Sequence, residues 1–567
     1  MIRFHVDLQA RLAPLRDIDP DALSEPQLRD LFPRLLAFCE ESATAVGQLQ
    51  AEVHRLKNEI ARLKGEHGGP QAPRSRLINP VEEPADHSSE QERRAPDGPP
   101  RKKRPKLDRI VIDRTVTLAD FPEGLPADAR FKGYAAVVIQ DLVLRTDNVR
   151  FLRAKFWSPS RRETYLAPLP AGYQGEFGPG IQALGLSLVY RAHLSLPLLH
   201  AFLEDAGTLI SRGQVANLVT TKVDAFHAEQ HAVLRAGLAS SPWQHLDVTS
   251  TPVDGETYAC HVLANPLYAH YHTTPHQDRR SALEVLRGGA PPRYRLDAAA
   301  HAHLARLGTP AGVGRVLQGF PQETTWSAAE FQQLLQRRLP RLGKETRRQV
   351  EEAAALAAYW AEPTWPVVQC LVSDDAATFR GITPELALCW VHDGRHYQKL
   401  LPQFTCHRKA LEGFRKRYWD YYRELLAYRK TPSPEEAGRL EAVFDTLFGT
   451  ESLWGDLQTC IARTRANKEK LLRVLEHPEL PLHNNPAELT ARRRVRKRDV
   501  SFGPRSPTGL RAWDTFQGLV ETTRKLGLRF WAYLRDRLTQ GGEIPPLAEL
   551  IAARAAEQPL GGSWVAA

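Results

Sequence analysis

The chain has 567 residues, 42% apolar and 25% charged, ordinary values for a soluble protein with room for several domains. Lysine and arginine number 76 against 66 acidic residues, and the +10 excess gathers in two blocks, Arg101–Arg104 and Arg492–Arg498, which favours a polyanionic partner. The six cysteines form no CxxC pair, no run of eighteen apolar residues is present, and the N-terminal MIRFHVDLQARLAPLRDIDP lacks the apolar centre of a signal peptide. These features argue against a disulfide-stapled, membrane-spanning or secreted protein, and a reducing cytoplasm is the expected compartment.

The first forty-odd residues read as helices broken at Pro20 and Pro33. Val46, Leu49, Val53, Leu56, Ile60 and Leu63 then alternate spacings of three and four. This is the a/d seam of a coiled coil of about three heptads, with Glu52, Lys57, Glu59 and Lys64 for its flanks. Residues 1–66 are therefore expected to pair two or more chains into a homo-oligomer. Residues 67–109, poor in apolar side chains, read as a disordered linker ending in the basic RKKRPK. Between 110 and 180, AAVVIQDLVLR (135–145), VRFLRAKFW (149–157) and TYLAPL (164–169) predict the strands of a small β-rich region.

Residues 181–240 read as helical. SLPLLHAFLEDAGTLISRGQVANLV (195–219) has two arms around Gly207, with Ser211 placed as an N-cap. Both a DNA-binding helix-turn-helix and an ordinary helical hairpin have this form. From about 243, WQHLDVTSTPVDGE, TYACHVLA and LYAHYHTT predict three successive strands, followed by a helix at SALEVLRG and a helical stretch over 290–362. PVVQCLVSDD (366–375) is an apolar run that predicts a buried strand ending in carboxylates. Helices are expected over about 393–475, and again at 487–498 and 511–540.

Three acidic positions stand out against this background. Asp247 lies inside a predicted strand, Asp374 (with Asp375 beside it) ends another, and Glu488 begins a helix after HNNP, with Pro486 suited to the first turn. Two strand-borne aspartates and a helix-borne glutamate can meet at one edge of a mixed sheet. Such an oxygen-only set suits two Mg²⁺ ions about 3.5–4 Å apart, with Mn²⁺ as a substitute. Arg492, Arg493, Arg494, Arg496, Lys497 and Arg498 follow Glu488 within ten positions and are the candidate phosphate contacts. The bland alternative is a helix face of ion pairs such as Glu488 with Arg492, which contributes only tenths of a kcal/mol. Cys389, His392, Cys406 and His407 have the residue types of a zinc site but no standard spacing.

The local sequences around these residues carry a resemblance. "QHLDVTSTPV" (244–253), "LVSDDAATF" (371–379), "CWVHDGRHY" (389–397) and "LHNNPAELTARRRVRKRDVSFGPRSPTGLRAWDTFQGLVETTRKLGLRFWAYL" (482–534) occur in that order. The chain in this respect resembles the insertion-sequence-sixty-six family of DDE transposases. The last stretch, with Asn-Asn-x-x-Glu followed by arginines, is the most specific. The resemblance implies a mixed α/β fold. A ribonuclease-H-like catalytic core would span 241–520, with helical insertions at about 289–365 and 393–480 and C-terminal helices and tail over 521–567.

It further implies that Asp247, Asp374 and Glu488 are the metal-binding triad, with His392, Asn485 and Asp375 auxiliary to it and Asn484 shaping the turn. The implied activity is hydrolysis at transposon ends and transfer of the 3′-hydroxyl into target DNA, with accessory proteins of the element as further partners. Three positions depart from the family's pattern: Val248 for Glu, His483 for Asp, and Asp375 for Gly. Two alternatives follow, a decayed DNA-binding relative and a ribonuclease-H-like nuclease without strand transfer.

Overall fold

A computed structural model describes residues 110–564, except 119–125, 127, 174, 222 and 403, and scattered positions between 24 and 44. The expected coiled coil at 46–63 and the linker at 67–109 lie outside the described residues. Among the described residues of the expected β-rich region, strands form only as a hairpin of β1 (Lys155–Ser158) and β2 (Glu163–Leu166). The apolar run 135–145 forms no strand; Val137, Ile139, Leu142 and Val143 stay exposed. A β-branched run reports fitness for a pleated surface, and this one meets no partner edge among the described residues.

Helices α1 (Pro179–Leu186), α2 (Leu196–Asp205), α3 (Arg212–Thr220) and α4 (Asp224–Ala239) follow. Ser211 caps α3 as its position predicts, in a reciprocal box with Gln214. The central sheet then starts with β3 (Trp243–Val253), β4 (Glu256–Ala264) and β5 (Ala269–Thr274), an antiparallel meander. Asp254 and Gly255 turn β3 into β4 with φ of 49° and 85°, the two left-handed positions that a tight hairpin of this hand requires.

The chain leaves the sheet at α5 (Arg279–Leu286) and builds a helical insertion. This holds α6 (Ala298–Arg306), α7 (Ala311–Gln318), α8 (Ala328–Arg338) and α9 (Lys344–Trp360) around a two-stranded ribbon of β6 (Arg293–Arg295) and β7 (Thr325–Ser327). It returns as β8 (Cys370–Ser373) and β9 (Glu385–Leu388). The sheet order is β5-β4-β3-β8-β9, with β8 and β9 parallel to β3. All four residues of β8 are buried, as an apolar run in a covered parallel pair must be.

A second helical excursion follows: α10 (Trp390–Gln398), α11 (Thr405–Tyr428), α12 (Pro434–Phe448) and α13 (Gly455–Ala466), then two single-turn helices. The chain ends in α14 (Asn485–Ser501), α15 (Pro507–Lys525), α16 (Phe530–Thr539) and α17 (Leu547–Glu557). The stretch expected as helical over 511–540 breaks at Gly527, whose φ of 72° ends α15.

Helices cover both faces of the sheet. Cys260 and Val262 of β4 and Tyr271 of β5 pack on Ala487 and Ala491 of α14. Leu246 and Leu263 look into the main core with Leu234 of α4 and Leu519 of α15. Among the described residues no helix is long and apolar enough to cross a membrane.

Candidate active site

The parallel pairing of β3 with β8 sets the site. Trp243 lies opposite Cys370, Gln244 opposite Leu371 and His245 opposite Val372. The same register continued two residues further brings Asp247 level with Asp374, just past the end of β8. Glu488 reaches this edge in the first turn of α14. Asn484 fixes where that helix starts. Its side chain is fully buried and bonds His245 Nδ1 at 2.9 Å and the Leu246 carbonyl at 3.0 Å, while its backbone N–H points at Cys389 Sγ. One asparagine thus ties the start of α14 to the strand that carries Asp247. Asn485, next in sequence, is buried at the start of the helix.

The electrostatics express the convergence. The Asp247 carboxyl is pushed up to about 7, chiefly by burial and further by the charges of Asp374 and Glu488; the Val248 N–H and Arg395 pull the other way. Glu488 is 9% exposed. Its Oε2 accepts from the Arg395 guanidinium at 3.1 Å, and its Oε1 lies 3.5 Å from His392 Nδ1. Neither Glu488 Oε1 nor His392 Nδ1 has a hydrogen-bond partner among the described residues. Burial lowers the His392 pKa, Arg395 adds to that, and Glu488 and Asp374 oppose it.

The two neighbouring aspartates divide their roles. Asp374 accepts the Ala376 N–H at 3.2 Å, and its charge is felt at both Asp247 and His392. Asp375 is engaged elsewhere, by Arg380 at 2.6 Å, Arg463 at 3.3 Å and Asn467 at 3.2 Å. Burial alone would raise its pKa, but these partners outweigh burial and hold the carboxyl below its ordinary range.

The six candidate phosphate contacts after Glu488 are divided between the interior and the surface. Arg494 is fully buried, ion-paired to Asp514 and stacked over Tyr271 and Trp513, with its guanidinium carbon 5.2 and 5.5 Å from the ring centres. Lys497 is buried too, donating to the Leu194 carbonyl at 3.0 Å. Arg493 pairs with the buried Glu521 at 2.7 Å, and Arg498 donates to Ser250. The burial has a simple cause: a 17-residue helix that crosses the sheet must bury a face, and this one buries cations whose partners lie elsewhere in the chain. Arg492 and Arg496, four residues apart, remain exposed on one face.

Around His392, already singled out in the sequence, the structure gathers polar side chains that the sequence reading passed over: Arg395, His396 and Lys399. His392, Arg395 and His396 of α10 and Lys399 at its C-cap follow a spacing of three, one and three, which was the available signal. Lys399 is exposed and Arg395 half-exposed. Arg463 of α13 joins them, 2.9 Å from His396 Nδ1. The four-residue zinc set is broken up: Cys406 is exposed, and His407 stacks on Trp454 with ring centres 5.1 Å apart.

Residues 344–512 match the model of a family described as transposase IS66. The match includes Asp374 and Glu488 and leaves Asp247 outside. The chain is also similar to the uncharacterized protein y4jO of Sinorhizobium fredii (strain NBRC 101917 / NGR234), at 32% identity over 333 residues, a match that covers 57% of this chain and all of that protein.

Proposed function

Because the chain belongs to the transposase IS66 family, we propose that it is a DNA transposase of the DDE type, with Asp247, Asp374 and Glu488 as its catalytic carboxylates. The observation that carries this reading is the crowding of the three: two from adjacent strands, one from a helix start, close enough that Asp374 and Glu488 raise the Asp247 pKa. The sheet order β5-β4-β3-β8-β9, three antiparallel strands and then two parallel ones, supports a ribonuclease-H-like core interrupted by two helical insertions.

The donor set fits a hard divalent cation. It offers carboxylate oxygens, their mutual repulsion is relieved by positive charge, and Glu488 Oε1 is buried without a hydrogen-bond donor. Asp247, Asp374 and Glu488 would hold Mg²⁺, or Mn²⁺ in its place, and the bound ions would supply charge stabilisation and an activated oxygen nucleophile for in-line displacement at phosphorus. The protein's own groups do the rest. Asn484 holds Glu488 against β3, Arg395 orients the Glu488 carboxylate, and Asp375 fixes the loop after Asp374 through Arg380 and Arg463. Lys399 at the C-cap of α10, with Arg492 and Arg496 on α14, are exposed cations placed to meet a phosphate backbone.

The test is a cleavage assay on DNA carrying the element's own ends, with Mg²⁺ or Mn²⁺, comparing wild type with Glu488→Gln. Metal-dependent nicking at the end boundary that disappears in the variant supports the reading, and a joined-strand product separates a transposase from a plain nuclease. End binding without cleavage in the wild type, with the element's partner proteins supplied, would replace it with a decayed DNA-binding relative.

A further inference from the structure

One group of side chains at the edge of this site is not used by an oxygen-only metal centre. Cys389, His392 and Glu488 each offer one donor atom, and the three atoms lie within 4.8 Å of one another. Two of these residues present unpartnered buried atoms to the gap, His392 Nδ1 and Glu488 Oε1, 3.5 Å apart, and Glu488 is nine-tenths buried. Cys389 is the N-cap of α10 and is buried. Backbone N–H groups of His392, Asn484 and Val391 face its sulfur, but burial and then the charge of Glu488 outweigh them and push the thiol up to about 12.

We propose that Cys389, His392 and Glu488 form a binding site for a thiophilic divalent cation, Zn²⁺ above all, distinct in chemistry from the all-oxygen set of Asp247 and Asp374. Sulfur, nitrogen and oxygen donors together are a zinc set, which Mg²⁺ does not favour. Three protein ligands leave one tetrahedral position for water, and the quarter-exposed His392 side chain gives an entry path. Zinc ligands at ~2.0–2.3 Å stand roughly 3.3–3.8 Å from one another, so the present spacing closes with small side-chain movements. On binding, the Cys389 thiol gives its proton to solvent and the ion takes the thiolate.

The site shares Glu488 with the proposed catalytic set. If that reading holds, the two occupancies compete, and zinc acts as an inhibitor that draws Glu488 away from Asp247 and Asp374.

The experiment titrates the full-length protein with Co²⁺, which reports thiolate ligation as a charge-transfer band in the near ultraviolet, and then displaces the cobalt with Zn²⁺. Wild type is expected to bind one equivalent with the band. Cys389→Ser should lose the band, and His392→Gln should weaken binding by roughly 10–100-fold. Cys406→Ser and Cys460→Ser should keep it. Asp247→Asn, which leaves all three donors in place, should keep it too, so a loss in Cys389→Ser cannot be ascribed to general disturbance of the site. A wild type without a thiolate band, or a band that survives in Cys389→Ser, overturns the proposal. In a parallel cleavage assay, zinc should slow Mg²⁺-dependent nicking by wild type more than by Cys389→Ser, each compared with its own zinc-free rate. Absence of nicking in every protein would fail the transposase reading alone, because the cobalt titration decides the metal site independently.

Discussion

Glu488 and Arg494 lie six residues apart on one helix and meet opposite environments. Glu488 opens toward the carboxylate cluster, where charge is the point; Arg494 is sealed among Tyr271, Trp513 and Asp514, where charge must be matched. Substitutions at the two should therefore fail differently. Asp247→Asn, Asp374→Asn or Glu488→Gln is expected to lower cleavage by at least about 10²–10³-fold, the scale of losing one preorganised electrostatic group, with end binding retained. Rate measurements beside a DNA-binding isotherm check this. Arg494→Leu leaves Asp514 without its cation in a buried setting and should cost about 3–5 kcal/mol in urea unfolding, whereas exposed Arg492→Ala should stay within about 0.5 kcal/mol.

Helix α14 shows at the element scale what periodicity can and cannot reveal. Its cations occupy both faces, so the sequence carries no apolar stripe to say which face is inside. Trp513, Asp514 and Tyr271, which make the inner face habitable for Arg494 and Lys497, lie on other elements. Arg494 and Lys497 are turned inward, which the sequence could not show for that reason, while Arg492 and Arg496 keep the exposure that a phosphate contact needs. In the proposed complex, the Arg492→Ala/Arg496→Ala double variant should lower the slope of log affinity against log salt by up to ~2, and Lys399→Ala by ~1, as each phosphate contact contributes about 0.9.

Strands β3, β4, β5 and β8 were legible because their signals are local, the Asp254-Gly255 turn and the apolar run before Asp374. The run 135–145 was misread because a strand also needs an edge to join. Close packing between elements was equally invisible: a β-carbon on Gly237 of α4 would sit 2.4 Å from the Tyr268 ring. Gly237→Ala should destabilise by about 1–3 kcal/mol despite its better helix propensity, a sign that thermal or urea unfolding will read directly.

At the scale of the whole molecule, the buried histidines of the sheet set an acid limit. Burial first, and neighbouring histidines second, pull His270 down to about 3 and His261 to about 4. An unfolded histidine takes a proton near 6.5. Between about pH 4 and 6.5 the unfolded chain binds more protons than the folded one at these two sites. Stability from them is therefore fully present above about 6.5 and is lost as pH falls from there to about 4 at His261 and about 3 at His270, contributing on the order of 3 and 5 kcal/mol. Unfolding curves at stepped pH should show the loss, and His270→Gln should flatten it.

The same breadth of assembly bears on how the protein is made. Asp247 and Asp374 stand 127 positions apart, and Glu488 follows after another 114. A ribosome that has delivered β3, β4 and β5 has made more than half the sheet but holds one of the three carboxylates. The third emerges only 241 positions after the first. Trp243, at the start of β3, still waits for the Leu560 carbonyl as its hydrogen-bond acceptor at 2.5 Å. Premature termination anywhere before α14 thus yields a product that lacks the glutamate altogether, so that under the proposed chemistry the order of the chain keeps unfinished copies from cutting DNA.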